Sequence, residues 1–201
     1  MSHSRLPRII LASQSPRRKM LLEWAEIDFE VIVKHTEEIV PPGVSVQEAA
    51  VTIARQKALA VQHSLLRTSE GMEAGSSHLP ILAADTIVVL GSHIIGKPES
   101  RQEAIQFLQQ LSGRQHQVIT GVVLLTPAGE QAFADTTDVQ FYPLSLEQIE
   151  YYVDKYQPFD KAGAYAIQEW IGVVGIERIN GDFYNVMGLP VSRVLQALER
   201  L

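Results

Sequence analysis

Short apolar runs that alternate with capped helices are the feature of this sequence that most restricts its fold. The run RIILA at 8–12 predicts a buried strand, and Ser15 followed by Pro16 predicts a helix start directly after it. Later helices begin with the pattern of a capping box, at Ser45 with Glu48, Ser100 with Glu103, and Ser145 with Gln148. Strands and helices alternate without a repeat, so the sequence predicts an α/β protein with a mixed sheet and flanking helices.

Other segments complete this prediction along the chain. Further strands are expected at 29–33, at 80–90, near 172–179, and in a long hairpin formed by 117–126 and 130–142. The apolar side chains of the first helix that we expect to face the core are Met20, Leu21, Trp24 and Ala25. A closing helix is expected from Pro190, and the Gly- and Ser-rich segment 67–79 predicts a surface loop that carries no chemistry.

The composition limits the classes of function. With 201 residues, 46% of them hydrophobic, the chain is long enough to form one domain over 1–201 with a substantial core. A net charge of −6 argues against a broad basic surface for nucleic acid, so any bound anion must meet a local cluster. The absence of cysteine excludes disulfides, thiolate nucleophiles and zinc–thiolate sites. No apolar run is long enough for a signal peptide or a membrane span, which predicts a cytoplasmic protein.

Two arginines occupy the first turn of the first predicted helix. Arg17 and Arg18 follow Pro16, where free backbone N–H groups and the helix dipole favour an anion. Positive side chains at this position oppose the dipole unless an anion compensates them. The pair therefore predicts a phosphate site, and the alternative is that both are solvated surface arginines.

One carboxylate lies inside an otherwise apolar run. Asp85 stands between ILAA and TIVVL, where a buried carboxylate needs a cation or a metal ion to offset its desolvation. It is thus a candidate functional residue, and the alternative is an aspartate at the end of a strand that hydrogen-bonds to a turn. Glu37 and Glu38, after the second strand, could supply a further carboxylate, although alone they are an ordinary acidic loop.

The segment GSHIIGKP at 91–98 matches most of the phosphate-loop pattern G-x-x-x-x-G-K-[ST]. Pro98 replaces the Ser or Thr, which removes the hydroxyl that would bind Mg²⁺ and also a backbone N–H. A short strand after a Gly-Ser turn is the better prediction, and Lys97 is still able to reach a phosphate from another geometry. The sequence contains no H-E-x-x-H, G-x-G-x-x-G or G-x-S-x-G pattern, which argues against a zincin, a Rossmann enzyme and a serine hydrolase.

Several motifs together resemble those of one protein family. They are LASQSPRRKMLL at 11–22, ADTIVV with IIGKP within 84–98, DKAGAYAIQ at 160–168, and GDFYNVMGLPVSRV at 181–194. In this order, and over nearly the whole chain, they resemble the Maf family of nucleoside triphosphate pyrophosphatases, some of which were named for septum formation. The resemblance implies an α/β structure of two lobes around a central cleft, a homodimer, and hydrolysis of a nucleoside triphosphate to the monophosphate and pyrophosphate.

The resemblance also implies roles for individual residues. Asp85 matches the proposed general base, and the family's dTTP/UTP-preferring branch is marked at the positions of Arg17, Thr86 and Gln168. Further positions that match the same cleft are those of Ser13, Arg18, Glu37, Lys57 and Lys97. We therefore expect Asp85, Lys57 and Lys97 to be catalytic. We expect Ser13, Arg17 and Arg18 to bind phosphate.

A divalent cation, Mg²⁺ or Mn²⁺, is expected to bind through Glu37 and Asp85. One departure concerns this site, because Lys34, His35 and Thr36 precede Glu37 where many members of the family carry another acid. We expect no nucleic acid polymer and no membrane as a partner. The alternatives are the branch of the family that acts on 7-methyl-GTP, a nucleotide-binding regulator of cell division with little turnover, and a phosphate-loop phosphotransferase.

Overall fold

The computed structural model describes residues 6–69 and 79–201, which belong to two compact units. Unit 1 comprises the chain up to Asp85, Thr120–Asp135 and Gly188–Leu201, and unit 2 comprises Thr86–Ile119 and Thr136–Met187. Within the loop predicted at 67–79, residues 70–78 lie outside the described residues and 67–69 continue a helix. None of the helices in the described ranges combines the length and the apolar character that a membrane span requires.

Unit 1 is built on a parallel pairing around its first strand. Its own elements are β1 (Ile9–Leu11), α1 (Pro16–Trp24), β2 (Phe29–Val31), α2 (Val46–Ser69) and α7 (Val191–Leu198). Parts of three longer strands, β3 (Ile81–Leu90), β5 (Gln115–Thr126) and β6 (Gly129–Phe141), also belong to it. The pairing of β1 with both β2 and β3 is parallel, and side chains of β1, β3, β5 and α2 form a common core.

A glycine lets helix α2 approach the sheet closely. A Cβ atom at Gly121 of β5 would lie 2.3 Å from backbone atoms of Ala50 and Val51 in α2, so no larger residue fits there. On the buried side of the same helix, Ala54 and Ala58 are fully buried against the sheet. Small residues on both surfaces therefore determine the distance between α2 and the sheet and the position of α2 along its own axis. They thereby also determine the position of each side chain that α2 carries.

Unit 2 contains the remaining parts of β3, β5 and β6 and most of the shorter elements. These are β4 (His93–Ile95), α3 (Arg101–Leu111), α4 (Leu146–Tyr156), a 3-10 turn (Ala162–Ala164), α5 (Trp170–Gly175), β7 (Ile176–Asn180) and α6 (Phe183–Met187). The strand order is β2-β1-β3-β5-β6-β7, with β4 paired to β3. Because β4 and β7 pair antiparallel with their neighbours whereas β1 pairs parallel, the sheet is mixed, as predicted.

The predicted helix starts are confirmed by their hydrogen bonds. Ser15 accepts from the backbone N–H of Arg18 with Pro16 in the first turn, and Ser145 forms a complete capping box with Gln148. The Ser45 N–H donates to Glu48, whose own N–H donates to the Ser45 hydroxyl. These caps satisfy backbone donors that the first turn leaves without partners.

Two predictions about local structure are wrong, and one short helix has no counterpart among the predictions. Trp24 is 60% exposed, because α1 buries Leu22 beside Leu21 instead. Residues 170–175 form α5 rather than part of a strand, and β7 begins only at Ile176. Helix α6 was not predicted at all, since five residues are too few to show a helical period.

A buried histidine in unit 2 is held by aromatic neighbours. His116 is 1% exposed, its Nε2 lies 2.7 Å from the hydroxyl oxygen of Tyr165, and its ring stacks on Phe141 at a centroid distance of 5.5 Å. Burial lowers the pKa of His116 to about 4 from its ordinary 6.5, and burial also raises the pKa of Tyr165. The imidazole is therefore neutral in the folded protein at neutral pH.

We expect this histidine to make the protein less stable in acid. Above pH 6.5 both folded and unfolded states hold a neutral His116, whereas between pH 6.5 and 4 only the unfolded state takes up the proton. The free energy of unfolding should fall by up to about 3 kcal/mol across this window on account of this group. Urea unfolding of the wild type and of His116→Phe at pH 7, 5.5 and 4.5 measures it, because the variant should lose less stability on acidification. His93→Gln, which removes an exposed histidine, is the control and should keep the wild-type pH dependence.

Candidate functional site

The connection between β1 and α1 forms a loop of serines at a helix N-terminus. The Ser13 hydroxyl oxygen accepts from the backbone N–H of Ser15 at 3.2 Å, and Ser15 in turn caps α1. Ser13 is 6% exposed, so this arrangement lies against the interior of unit 1. The structure therefore places Ser13, a predicted phosphate ligand, directly beside the backbone donors of the helix start.

Arg18 is buried, so it is not a solvated surface arginine. Its Nε donates to the carbonyl oxygen of Gly188 at 2.8 Å, and its terminal nitrogen donates to the hydroxyl of Ser13 at 3.1 Å. Burial lowers the pKa of Arg18 to about 10, the negative charge of Asp85 opposes that shift, and the neighbouring Arg17 adds to it. Arg18 consequently stays charged at neutral pH and connects the start of α1 to the segment before α7.

Lysine 57 bridges two carboxylates in unit 1. Its Nζ lies 2.6 Å from Asp85 on β3 and 2.9 Å from Glu38 in the loop after β2. The side chains of Lys57 and Asp85 are 21% and 16% exposed, whereas that of Glu38 is 54% exposed. Asp85 lies in the middle of β3 with an ionic partner, so the alternative of a strand-end aspartate bonded to a turn is wrong. The predicted catalytic pair, Asp85 and Lys57, is in direct contact.

The second carboxylate at this lysine is Glu38 rather than its neighbour Glu37. The loop that carries both is attached to α2 by the side-chain amide of Gln56, which donates to the carbonyl oxygen of Ile39 at 2.5 Å. Nothing in the sequence distinguishes Glu37 from Glu38, because the choice depends on the path of a loop without regular structure. The one relevant signal in the sequence is that Gln56 and Lys57 are neighbours on α2, since both contact the loop that carries Glu38.

The carboxylates fit a divalent cation of the magnesium type. In the part of the chain that the structure describes, no group of three or more His, Asp or Glu side chains is arranged to hold a metal ion. Magnesium sites in proteins commonly use one or two carboxylates, with water and substrate phosphates as the other ligands. Asp85 and Glu38 offer such a donor set around Lys57, whereas a complete protein cage is absent from the described residues.

Of the remaining predicted residues, Arg17 lies in α1 of unit 1, and the others belong to unit 2. Thr86 follows Asp85 on β3, and Lys97 is exposed in the loop after β4. The segment 91–98 forms a hairpin in which Leu90 pairs with His93, so it is not a phosphate loop. The carbonyl oxygen of Gly96 accepts from the N–H of Gly163 at 3.0 Å, which attaches the Lys97 loop to the 3-10 turn.

Gln168, the remaining residue expected to select the base, follows that turn. Its side-chain oxygen is buried and has no hydrogen-bond partner among the residues that the structure describes. A buried acceptor without a donor is costly, so each such atom calls for an explanation. The side-chain oxygen of Gln168 is thus an acceptor whose donor is not among the described residues.

Similarity to known proteins covers the whole of this arrangement. The sequence pattern of the family described as Maf-like protein matches residues 8–201. A protein of Cytophaga hutchinsonii named dTTP/UTP pyrophosphatase is 46% identical over 201 residues, covering 100% of this chain and 87% of the relative. One of the same name from Bacteroides thetaiotaomicron is 44% identical over 195 residues, covering 96% of each chain.

A solved structure shows a more distant likeness. The Staphylococcus aureus Ham1 protein has a TM-score of 0.42 and 16% identity, and the match covers 67% of this chain and 71% of that one. No conclusion about the fold or the function follows from a likeness this distant. The family pattern and the near-complete coverage of the relatives suffice, and the chain belongs to the Maf-like protein family.

Proposed function

We propose that this protein hydrolyses dTTP and UTP to the nucleoside monophosphate and pyrophosphate. The observation that carries the proposal is the Lys57 ammonium held between Asp85 and Glu38, next to a charged Arg18 and a capped helix N-terminus. These are the parts that a phosphoanhydride hydrolase needs, namely cations for phosphate oxygens and a carboxylate for water or metal. The names of the near full-length relatives support the same substrates.

The phosphate-binding part of the proposal uses the cations of unit 1. A nucleoside triphosphate carries roughly four negative charges, which the N–H groups at the start of α1 attract together with nearby guanidinium groups. Arg18 is fixed by Gly188 and Ser13, so it holds the loop in shape while it contributes positive charge. Arg17 and Lys57 are the other cations of unit 1 that we assign to the phosphates, and the phosphate role of Lys97 stays a prediction.

The chemical step is assigned to Asp85. Lys57 orients its carboxylate, and Asp85 would take the proton from the water that attacks the α-phosphorus, so that pyrophosphate leaves in one piece. Asp85 and Glu38 would hold Mg²⁺ or Mn²⁺, which when bound neutralises phosphate charge and polarises the phosphoryl oxygens. Glu37, predicted as a metal ligand from the sequence, stays a prediction.

Base selection is assigned to Gln168 and Thr86 of unit 2, and the contribution of Arg17 to it stays a prediction. The buried side-chain oxygen of Gln168 requires a donor, and the N3–H groups of thymine and uracil are donors whereas the N3 atom of cytosine is an acceptor. Such a site rejects an analogue that lacks the required donor, because the buried oxygen would then remain without a partner.

The homodimer and the cytoplasmic location that the sequence predicts stay predictions.

The reaction itself is tested by a product-resolved assay. We expect pyrophosphate, not phosphate, to be released from dTTP and UTP in the presence of Mg²⁺ or Mn²⁺, with little release from CTP, GTP or ATP. Chromatographic separation of the products with each nucleotide measures this directly. Pyrophosphate chiefly from 7-methyl-GTP would refute the substrate assignment but keep the reaction, and nucleotide binding without turnover would favour a regulator.

The Asp85 assignment is tested by Asp85→Asn, which keeps the side-chain shape and removes the charge. A positioned base typically contributes a factor of roughly 10² to 10⁴ in rate. We therefore expect kcat for dTTP at saturating metal to decrease by a factor in that range. Steady-state kinetics with purified protein is the measurement. Asp154→Asn, which breaks an exposed ion pair with Arg101, is the control and should leave kcat unchanged. A loss of only a few-fold in Asp85→Asn would contradict the assignment.

The choice of Glu38 over Glu37 is tested by a matched pair of variants. Because Glu38 contacts Lys57, Glu38→Gln should reduce kcat and raise the metal concentration needed for half-maximal rate, each by about tenfold or more. Glu37→Gln should cause the smaller change in both. Titration of activity with Mg²⁺ and Mn²⁺ for the two variants gives both quantities. The opposite ranking would favour the sequence-based assignment of Glu37.

A further inference from the structure

The backbone around Gln168 is held by a buried tyrosine of α4. Tyr152 is fully buried, its hydroxyl oxygen accepts from the N–H of Ala166 at 3.1 Å, and its hydroxyl donates to the carboxylate of Glu169. These two partners lie on either side of Gln168 in the chain. One hydroxyl group therefore fixes both ends of the short segment that carries the Gln168 side chain.

The direction of these hydrogen bonds is determined by the groups involved. A backbone N–H can only donate, so the oxygen of Tyr152 accepts from Ala166 and its hydrogen remains for Glu169. Glu169 is also 3.6 Å from the Nζ of Lys161, whose side chain is only 10% exposed. With that cation on one oxygen and the tyrosine hydroxyl on the other, the Glu169 carboxylate is held from two sides.

A glycine in α5 adds a third constraint. A Cβ atom at Gly172 would lie 1.8 Å from the carbonyl oxygen of Ile167, so the first turn of α5 packs directly on that peptide group. The N–H of Gly172 also donates to the carbonyl oxygen of Glu169 at 2.9 Å. The peptide group before Gln168 and the peptide group after Glu169 are thus both fixed by contacts with α5.

From this geometry we propose that Tyr152 and Glu169 are positioning residues that set base selectivity through Gln168. The inference rests on the proposed function, in which Gln168 accepts from the pyrimidine N3–H. A side-chain amide with an unpartnered buried oxygen gains by moving to any available donor. It can discriminate between bases only if its backbone holds it in place, and Tyr152 and Glu169 supply that restraint without touching the substrate.

The experiment compares four proteins in their selectivity. The ratio of kcat/KM for UTP to that for CTP is measured for the wild type, Tyr152→Phe, Gln168→Leu, which removes the acceptor oxygen, and the double variant. We expect Tyr152→Phe to lower the ratio by about tenfold or more, chiefly through kcat/KM for UTP. Once Gln168 is replaced, adding Tyr152→Phe should change the ratio no further, because both act through the same contact.

Three further variants separate positioning from general stability. Tyr151→Phe removes the hydroxyl of the adjacent tyrosine, which accepts from Lys155, and should keep the wild-type ratio. Glu169→Gln retains an oxygen for the Tyr152 hydroxyl and should keep the ratio within about threefold, whereas Glu169→Leu should lower it as Tyr152→Phe does. Thermal unfolding of each protein shows that it is folded. If the Tyr152→Phe protein is not folded, the result for Glu169→Leu decides the inference.

The outcomes distinguish this inference from the function on which it rests. If Gln168→Leu keeps the wild-type ratio, base selection by Gln168 is wrong and the positioning role is wrong with it. If Gln168→Leu lowers the ratio but folded Tyr152→Phe or Glu169→Leu does not, the positioning role is overturned and the proposed function stands. The positioning role is also overturned if Tyr152→Phe lowers the UTP/CTP ratio by the same factor whether or not Gln168 has been replaced.

Discussion

The ion pair between Lys57 and Asp85 is the interaction on which the arrangement of unit 1 depends. A carboxylate in the middle of a strand with buried neighbours on both sides is unfavourable unless a cation compensates it. Lys57 of α2 lies 2.6 Å from Asp85, and α2 packs closely against the sheet that carries Asp85. Gly121 allows this approach, so a glycine remote in sequence determines the position of the charged pair.

The buried arginine has a related role in the same unit, where Asp85 and Glu38 act on its charge. Arg18 joins the serine loop, the start of α1 and the carbonyl of Gly188, which stands just before the closing helix. Removing a partner from such a buried charge costs far more than the contact itself contributes, since the guanidinium remains desolvated. Structural and electrostatic functions therefore coincide in this residue, and neither is separable from the other by a simple truncation.

Local rules predicted much of this structure from the sequence, and tertiary contacts account for what they missed. Capping residues depend on neighbours three positions away, so Ser15 and Ser145 were identified correctly. The burial of Asp85 between apolar residues was equally visible. The partnership of Glu38 with Lys57 was not, because it depends on a loop whose path the sequence does not reveal. Trp24 was misplaced since an apolar residue on an amphipathic helix can still face solvent.

In the proposed function, selectivity between nucleotides depends on which buried groups lack a partner. Asp85 has its cation before any substrate binds, so its pairing restrains the reactive group without distinguishing one nucleotide from another. The side-chain oxygen of Gln168 has no partner among the described residues, so a ligand that supplies a donor gains and one that supplies an acceptor leaves the cost in place. That difference persists only while the amide cannot turn to another donor. A fully buried tyrosine hydroxyl that is hydrogen-bonded to Ala166 and to Glu169, on the two sides of Gln168, provides a restraint of that kind.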